Sequence, residues 1–399
     1  MKLCILSRDA DNYSTSRLVE AARKRGHDVT VTDTLKFSIL LEQEQPALFY
    51  DGAAMDPCDA VIPRIGASIT FYGLAVLRQF EQMGVYCANG SSAISRSRDK
   101  LQAIQILSRH DIGIPPTAFV REKNEILPAI KRVGGTPVII KLLEGTQGVG
   151  VILAESEKVA KAIIETLHSA RQNVLIQKFV AESRGRDVRA FVVGDRVVAA
   201  MRRLAEEGEF RSNVHQGGKT EKVVLDKQHV ETAVRAAQIL GLNIAGVDML
   251  ESNEGPQVME VNSSPGLEGI EGITEIDVAN AVIRHVEDAV QFPRVDLKQR
   301  LRLNAGYGVV EFHVHGLPEL EGKKLRETNL SACGIHVMSI RRKQVDYPNP
   351  TGDARIETGD TLLCYGDLRT LRAMLPRNHK PKPERKPRPK ATGQPDQFD

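Results

Sequence analysis

The residues whose types and spacing most clearly suggest a chemical role lie in AGVDMLESNEGPQVMEVN, which covers residues 245–262. A turn at Ser252–Pro256 would fold this segment into a β-hairpin with Asp248 opposite Glu260, and Asn262 would share that face because side chains alternate along a strand. Carboxylates that face each other among apolar neighbours repel and are costly to bury. Magnesium binds oxygen ligands of this kind. Asp248, Glu260 and Asn262 are therefore candidate metal ligands, and the alternative is a solvated outer face of an edge hairpin.

A second group of residues could bind phosphates. Lys141 ends the apolar strand PVIIK, where one cation can contact a phosphate. Gly145 and Gly148 follow in a segment that lacks the Gly-Lys-Ser/Thr of a P-loop, but a glycine-rich hairpin tip can present backbone N–H groups and close as a lid. Lys100 heads a helix after SRSRD and could add a contact. The alternative for Lys141 is a strand-end lysine whose ammonium lies in water.

The end of the strand VLIQKFV could form a nucleobase slot. Gln177, Lys178 and Phe179 stand where an apolar strand passes into a polar loop, and such an exit offers both a flat apolar surface and backbone hydrogen-bonding groups. An ordinary strand with Phe179 in the core explains the same pattern equally well.

Basic residues recur in the segments that follow. Asp187 and Arg189 alternate in GRDVRAFVV, Arg203 ends the next strand after Arg202, and EFRSNVHQGG contains Arg211, Ser212 and Asn213. Basic groups beside a triphosphate would stabilise the charge that moves during phosphoryl transfer. A surface ion-pair network is the alternative for each of them.

Composition and element order predict several domains. The chain has 399 residues with 41% hydrophobic and 26% charged residues, which is ordinary for a soluble globular protein. The predicted fold class is α/β together with α+β, and it begins with a parallel, doubly wound sheet because short strands alternate with helices. The predicted parts are an N-terminal α/β domain (1–95), a catalytic domain (96–292), a linker (293–304), a small α+β domain (305–376) and a disordered basic tail (377–399).

The same composition limits the cellular setting. No apolar run approaches the roughly 20 residues of a membrane helix, and the N-terminus is typical of a first strand and not of a signal peptide. Five scattered cysteines without a CxxC motif argue against a disulfide framework or a zinc site. We therefore expect a cytoplasmic protein with no membrane partner.

Taken together, SRSRDKLQA, PVIIKLLEGTQGVGV, LIQKFV, GRDVRAFVVG, FRSNVHQGG, AGVDML and MEVNSSPGLEGIE resemble the ATP-grasp family, in particular its RimK type, from Met1 to about Ala289. The resemblance implies a pre-ATP-grasp domain followed by an ATP-grasp domain of two α+β subdomains. It implies ATP and two Mg²⁺ (or Mn²⁺) ions, with the metals on Asp248, Glu260 and Asn262.

The resemblance also implies residue roles. Lys100 and Lys141 would contact the ATP phosphates, with Gly145 and Gly148 in the lid. The adenine would lie against Gln177, Lys178 and Phe179, and the ribose would bind Asp187. Arg211, Ser212 and Asn213 would approach the phosphates, and Arg203 would lie near an acyl-phosphate. The catalytic set would be Arg203, Arg211 and Asn213.

The reaction implied is amide formation through an acyl-phosphate. In the RimK type, glutamate is added to the C-terminus of a small-subunit ribosomal protein or to a growing oligoglutamate. Two alternatives remain open from the sequence: a ligase for small molecules or peptides, and a nucleotide-sensing regulatory protein without turnover. Choice of the acceptor could depend on Arg64, Arg203 and the NSSPG segment.

Residues 305–376 resemble the C-terminal regulatory domain of potassium-uptake proteins of the TrkA type. The match rests on Gly322 followed by Leu325, on a strand that carries IRR, and on a GDTLL strand that ends in Tyr365 and Gly366. It implies a small-ligand effector and a homo-oligomer, and a docking module without ligand is the alternative. The basic tail could contact ribosomal RNA through phosphates, although a solvated tail fits equally well.

Overall fold

The structure is a computed structural model that describes residues 1–43, 45–143, 150–206, 209–210, 218–292, 306–343 and 345–374. These residues fall into two compact units, one within Met1–Pro293 and the other within Arg294–Asp399. Across them, no helix combines the length and apolar character needed to cross a bilayer. The proposed division into five parts stays a prediction.

The chain begins with a parallel sheet flanked by helices, as its alternating pattern predicts. Its elements are β1 (Lys2–Leu6), α1 (Tyr13–Lys24), β2 (Asp28–Thr32), β3 (Phe37–Leu40), β4 (Ala47–Tyr50), β5 (Ala53–Ala54), β6 (Ala60–Pro63), α2 (Thr70–Gln82) and β7 (Tyr86–Cys87). The parallel sheet has the order β2-β1-β6-β7, so the direction of strand addition reverses at β1. The antiparallel sheet β3-β4-β5 is absent from the sequence prediction, because strands this short give little periodicity.

The next segment contains a four-stranded antiparallel sheet. Its elements are α3 (Ser91–Arg98), α4 (Lys100–Ser108), β8 (Thr117–Phe119), α5 (Ile126–Arg132), β9 (Val138–Leu142), β10 (Val151–Ala154), α6 (Glu157–Ser169) and β11 (Val174–Lys178). The strand order is β10-β9-β11-β8. Asp99 caps α4 by accepting a hydrogen bond from the backbone N–H of Gln102 at 2.9 Å, which fixes Lys100 in the first helical turn.

A five-stranded antiparallel sheet completes this unit. Its elements are β12 (Arg186–Val193), β13 (Arg196–Leu204), β14 (Lys219–Lys222), α7 (Lys227–Leu240), β15 (Ile244–Ser252), β16 (Gly255–Asn262), α8 (Glu268–Thr274) and α9 (Val278–Gln291). The order is β14-β13-β12-β15-β16. One face of the central strands is apolar and shares a buried core with Ala233, Ala236 and Ala237 of α7. The other face is mixed, because Phe191, Val193 and Met201 belong to a second buried core, whereas polar side chains such as Asp187 occupy the rest of it.

The second unit is a small α+β fold. It consists of β17 (Tyr307–His313), β18 (His336–Arg342), β19 (Val345–Pro348), β20 (Thr361–Asp367) and α10 (Leu368–Met374), with the strand order β17-β20-β18-β19. Its own core includes Phe312, Ile340, Ile356 and Leu362. The predicted mixture of α/β and α+β architecture is confirmed.

Candidate functional site

The polar face of the five-stranded sheet carries the predicted metal ligands. Asp248 of β15 lies directly opposite Glu260 of β16, and Gly246 is opposite Asn262. The turn is one residue shorter than the sequence predicts, since Ser252 pairs with Gly255, and a β-bulge beside Asp248 restores the pairing. The predicted opposition of Asp248 and Glu260 therefore holds, but for a partly different reason.

Asp248 is not an unpaired carboxylate. Arg189 of β12 donates two hydrogen bonds of 2.7 Å to its two oxygens, and Arg203 of β13 lies 2.9 Å from Oδ2. Burial of Asp248, which is 3% exposed, opposes ionisation, but the two guanidinium groups outweigh it and hold the pKa of Asp248 well below its usual range. Facing carboxylates thus do not by themselves require a metal here, because neighbouring strands supply the counter-charge.

Asp187 and Arg203 form a second buried pair on the same face. Asp187 accepts a hydrogen bond of 2.9 Å from Nε of Arg203 and a second, shorter one from Nη2. Asp187 and Arg203 are 1% and 4% exposed. Arg203 therefore bridges Asp187 and Asp248. Arg202 points to the opposite face and pairs with Glu221 and Glu251, which removes it from the site.

Glu260 faces a group of cations from elsewhere in the unit. The charges of Arg98, Lys100 and Lys141 all interact with it, and Nζ of Lys100 donates a 3.1 Å hydrogen bond to the carbonyl of Leu142 at the end of β9. Burial lowers the pKa of Lys141 to about 8 despite the attraction of Glu260, and the positive charge of Lys100 adds to that effect. The four-stranded and five-stranded sheets thus present charged groups to one another.

The described part of this site holds more positive than negative side chains. Its cations are Arg64, Arg98, Lys100, Lys141, Arg189 and Arg203, and its carboxylates are Asp187, Asp248 and Glu260. Partly buried positive charge in excess of the carboxylates that the structure describes is unfavourable. An anionic ligand, such as a polyphosphate, would relieve it.

The oxygen donors of the hairpin fit a hard divalent cation. Asp248 and Glu260 are paired across the ladder, and Nδ2 of Asn262 lies 3.4 Å from Oδ2 of Asp248, so its amide oxygen points the other way. Glu260 is exposed and makes no direct salt bridge with any residue that the structure describes. Glu260 could thus contribute a carboxylate oxygen to a bound divalent cation.

The predicted nucleobase slot lies at the end of β11. Gln177 is buried and donates a 2.9 Å hydrogen bond to Oγ1 of Thr117, while Lys178 and Phe179 are half-buried. The backbone N–H of Lys178 donates to the carbonyl of Pro116 at 2.8 Å. The side chain of Gln177 therefore links β11 to β8 by a hydrogen bond. Lys178 and Phe179, which follow it, remain partly accessible.

Several predicted residues lie outside the described parts of the chain. These are Gly145 and Gly148 of the lid and the set Arg211, Ser212 and Asn213. Conversely, the sequence prediction gave no site role to Arg98. Its position two residues before Lys100, across the Asp99 helix cap, is the signal that could have indicated it.

Comparisons with known proteins agree with this arrangement. Residues 1–94 match the family model of the RimK PreATP-grasp domain, residues 97–286 that of the RimK-like ATP-grasp domain, and residues 309–377 that of the TrkA-C domain. The resemblances drawn from the sequence motifs are thereby confirmed.

Two relatives differ in how much of the chain they match. A Rhodopirellula baltica protein named "Probable alpha-L-glutamate ligase" is 59% identical over 396 residues, 98% of each chain. A protein of the same name from Hydrogenovibrio crunogenus is 54% identical over 287 residues, 72% of this chain and 95% of its own length. A nearly complete relative thus corresponds to less than three quarters of this chain.

Solved structures share the fold at lower identity. The ATP-grasp ligase PsnB complexed with a minimal precursor has a TM-score of 0.58 and 23% identity, covering 71% of this chain and 98% of its own. A RimK domain protein from Sphaerobacter thermophilus has a TM-score of 0.54 and 22% identity, covering 72% and 100%.

Proposed function

Since this chain belongs to the RimK-type ATP-grasp ligases, we propose that it joins glutamate to the C-terminal carboxylate of a protein, most specifically a small-subunit ribosomal protein or the oligoglutamate growing on it. That the chain is an ATP-dependent ligase follows from its family. The choice of glutamate is supported by the name of the Rhodopirellula baltica relative, which matches nearly all of the chain. The ribosomal acceptor is supported by the sequence motifs of the RimK type.

The observation that carries the proposal is the surplus of positive side chains around Glu260. Lys100 and Lys141 come from outside the five-stranded sheet, yet the charges of both interact with Glu260. Burial lowers the pKa of both ammonium groups, which means that their surroundings disfavour the charged form. ATP phosphates would favour the charged form of both ammonium groups, and the attraction between them would strengthen ATP binding.

Magnesium, or manganese, completes the charge balance in this proposal. Asp248, Glu260 and Asn262 would hold two ions, which would neutralise phosphate oxygens during transfer. Arg189 would then share Asp248 with the metal, since both oxygens of Asp248 already accept hydrogen bonds from it. The ribose contact of Asp187 and the phosphate contacts of Arg211, Ser212 and Asn213 belong to the same proposal.

The chemistry needs positioning more than a side-chain nucleophile. An oxygen of the acceptor carboxylate attacks the γ-phosphorus, the bond to ADP breaks, and an acyl-phosphate forms. The amine nitrogen of glutamate then attacks the acyl carbon, loses a proton and expels phosphate to leave an amide. Lys100 and Lys141 would hold the phosphates in line, and Arg203, which Asp187 fixes by two hydrogen bonds, would stabilise the negative charge of the acyl-phosphate.

Amino-acid dependence of ADP release tests the proposal directly. Purified protein with Mg-ATP, glutamate and small-subunit ribosomal proteins should release ADP, and intact-mass spectra should show one ribosomal protein gaining successive glutamyl units. Glutamine and aspartate serve as matched controls, and we expect at least about tenfold lower turnover with either, since a site built for one carboxylate position discriminates strongly.

Two outcomes would redirect the proposal. ADP release with glutamate alone, without change in any ribosomal protein mass, would make this a ligase for small molecules or peptides. ATP binding without ADP release under any substrate combination would support the alternative of a nucleotide-sensing protein.

A further inference from the structure

Arg64 lies at the carboxyl end of a strand in the parallel sheet, and the proposed ATP contacts give it no role. It follows β6 directly, and its backbone N–H donates a 2.9 Å hydrogen bond to the carbonyl of Leu6 at the end of β1. Strand order reverses at β1, which pairs with β2 on one side and β6 on the other. In open parallel sheets, ligands bind outside the carboxyl ends of the strands at such a reversal.

The side chain of Arg64 extends to the loop that follows Asn262. Its Nη1 donates a 2.7 Å hydrogen bond to the carbonyl of Pro265. This loop is firmly held, because Asn89 donates to the carbonyl of Ser263 at 2.9 Å and the N–H of Leu267 donates to Oγ of Ser14 at 3.0 Å. Arg64 thus joins the N-terminal sheet to the segment next to the proposed metal ligands.

Two hydroxyl groups of that loop lack partners. Oγ of Ser263 and Oγ of Ser264 are buried and make no hydrogen bond within the described structure, and Ser263 is 4% exposed. Leaving a buried hydroxyl unsatisfied costs about 1–3 kcal/mol. Arg64, Asn89 and Ser263 are the polar residues that line one cavity of about 20 Å³, and its other lining residues are apolar. That space admits a group about the size of one water, so at most the end of a ligand fits.

Arg98 adds a second guanidinium, which the charge of Glu260 attracts without a salt bridge between the two. Its Nη2 donates to the carbonyl of Ile65, the residue after Arg64, and its charge acts on Arg64. Burial, together with the charge of Arg98, lowers the pKa of Arg64 to about 10, so Arg64 remains charged near neutral pH. Within the described residues, neither guanidinium forms a salt bridge. Guanidinium groups bind carboxylates through paired hydrogen bonds.

We propose that Arg64, Arg98 and the Ser263–Pro265 loop form a subsite for a non-reacting carboxylate of a glutamyl substrate. That carboxylate belongs either to free glutamate or to the terminal residue of the acceptor. The inference rests on the proposed function for the identity of the substrate, whereas the subsite itself requires only that the ligase acts on a substrate with a second carboxylate.

Steady-state kinetics of Arg64→Met and Arg64→Lys test the subsite. We expect Arg64→Met to raise the KM for one carboxylate substrate by about 30- to 100-fold, as loss of a charge-assisted pair does, with the KM for ATP within about twofold of wild type. Arg64→Lys keeps the charge but loses the paired geometry, so it should rescue part of the loss. The substrate whose KM rises, glutamate or acceptor peptide, identifies the source of the carboxylate.

Two further variants guard against a purely structural effect. Arg96→Met removes an exposed arginine from the same helix as Arg98 and should leave every KM unchanged. Ser264→Ala deletes one unsatisfied hydroxyl and should raise the same KM as Arg64→Met, by about threefold to tenfold. Unchanged ADP affinity and thermal midpoint would show that each variant is folded. If Arg64→Met unfolds the protein, Ser264→Ala and Arg98→Met decide the question.

The outcomes separate the subsite from the function. Unchanged KM values for both carboxylate substrates, or a rise confined to the KM for ATP, would overturn the subsite even if glutamate is ligated. If wild type ligates a different dicarboxylate, the glutamate assignment fails, and the same comparison made with that substrate still tests Arg64.

Discussion

Four arginines, two from each unit, differ in the groups that their guanidiniums contact. In the second unit, Arg342 donates two hydrogen bonds of 2.8 Å to Asp360 and one of 2.7 Å to Glu357, and Arg341 pairs with Glu311 and Asp346. In the first unit, Arg64 and Arg98 donate to backbone carbonyls and, within the described chain, have no carboxylate partner.

This difference separates structural charge from functional charge. A guanidinium that is matched by carboxylates stabilises the fold and leaves nothing for a ligand to gain. A half-buried cation without a counter-ion costs free energy until an anion binds. The candidate site contains both kinds, since Arg189 and Arg203 are matched by Asp187 and Asp248, whereas Lys141 forms no salt bridge with any residue that the structure describes.

The largest expected effect follows from removing the available carboxylate of the site. Glu260→Gln keeps the size of the side chain but removes its charge and, with it, a proposed metal ligand. We expect ADP release to fall by about 100-fold or more, because phosphate charge would no longer be neutralised. Glu254→Gln, at the exposed tip of the same hairpin, is the matched control and should retain wild-type turnover. Equal activity of both variants would remove Glu260 from the metal site.

Lys141 should show the next largest effect, together with a characteristic pH dependence. Lys141→Met should weaken ATP binding by about tenfold to 100-fold, the loss expected for one charge-assisted phosphate contact. Burial lowers the pKa of Lys141 to about 8 in the free protein. ATP should bind the protonated form, so wild-type affinity should fall as pH rises above about 8 and binding should take up protons there.

Calorimetric titration in buffers of different ionisation enthalpy measures that uptake. Between pH 8 and the ordinary lysine pKa, the unfolded chain binds more protons at Lys141 than the folded chain does. The free energy of unfolding therefore rises with pH through that window. Lys141→Met should abolish both the proton uptake and the slope of affinity with pH. A wild-type affinity that is flat from pH 7 to 9 would contradict the assignment.

Sequence patterns could predict the hairpin but not its electrostatics. The sequence argument placed Asp248 opposite Glu260 with a turn one residue too long, and the pairing holds only because a β-bulge compensates for that residue. The pairing of Asp248 with Arg189 depends on β12 lying beside β15, about 50 residues apart in sequence. Local spacing carries no information about that neighbour, so the sequence argument left Asp248 unpaired.

The N-terminal part shows a similar division. Alternating strands and helices predict the parallel sheet. They do not predict the hydrogen bond between Arg64, which follows a strand of that sheet, and Pro265, which follows a strand of the five-stranded sheet. Only the strand order places Arg64 at the reversal, and strand order follows from long-range packing that local patterns do not contain. Motif resemblance could suggest candidate ATP-binding residues, whereas Arg98 was assigned to the candidate site from its spatial neighbours.

A smaller effect, confined to stability, should follow in the second unit. Asp360 is 1% exposed, and its pKa is lowered because the bonds from Arg342 and from the N–H of Glu357 outweigh the effect of burial. Asp360→Asn should destabilise that unit by about 1–3 kcal/mol, seen as an earlier thermal transition, while ADP release stays within about twofold. In wild type, this contribution is present above the ordinary carboxyl pKa and is lost as pH falls through the lowered one. A large loss of ADP release would contradict a purely structural role.

Removing the second unit entirely should also have little effect on the chemistry. A chain of residues 1–292 retains all four sheets that the structure describes in the first unit, and the Hydrogenovibrio crunogenus relative matches only 72% of this chain with 95% of its own length. We therefore expect it to fold and to release ADP within about threefold of the full chain, while any self-association or effector response that depends on the TrkA-C domain disappears. Light scattering and ADP release, each measured with and without candidate nucleotides, check both expectations. Aggregation of the shortened chain would instead make the second unit a structural support, and its matched arginines would then stabilise the ligase as well as themselves.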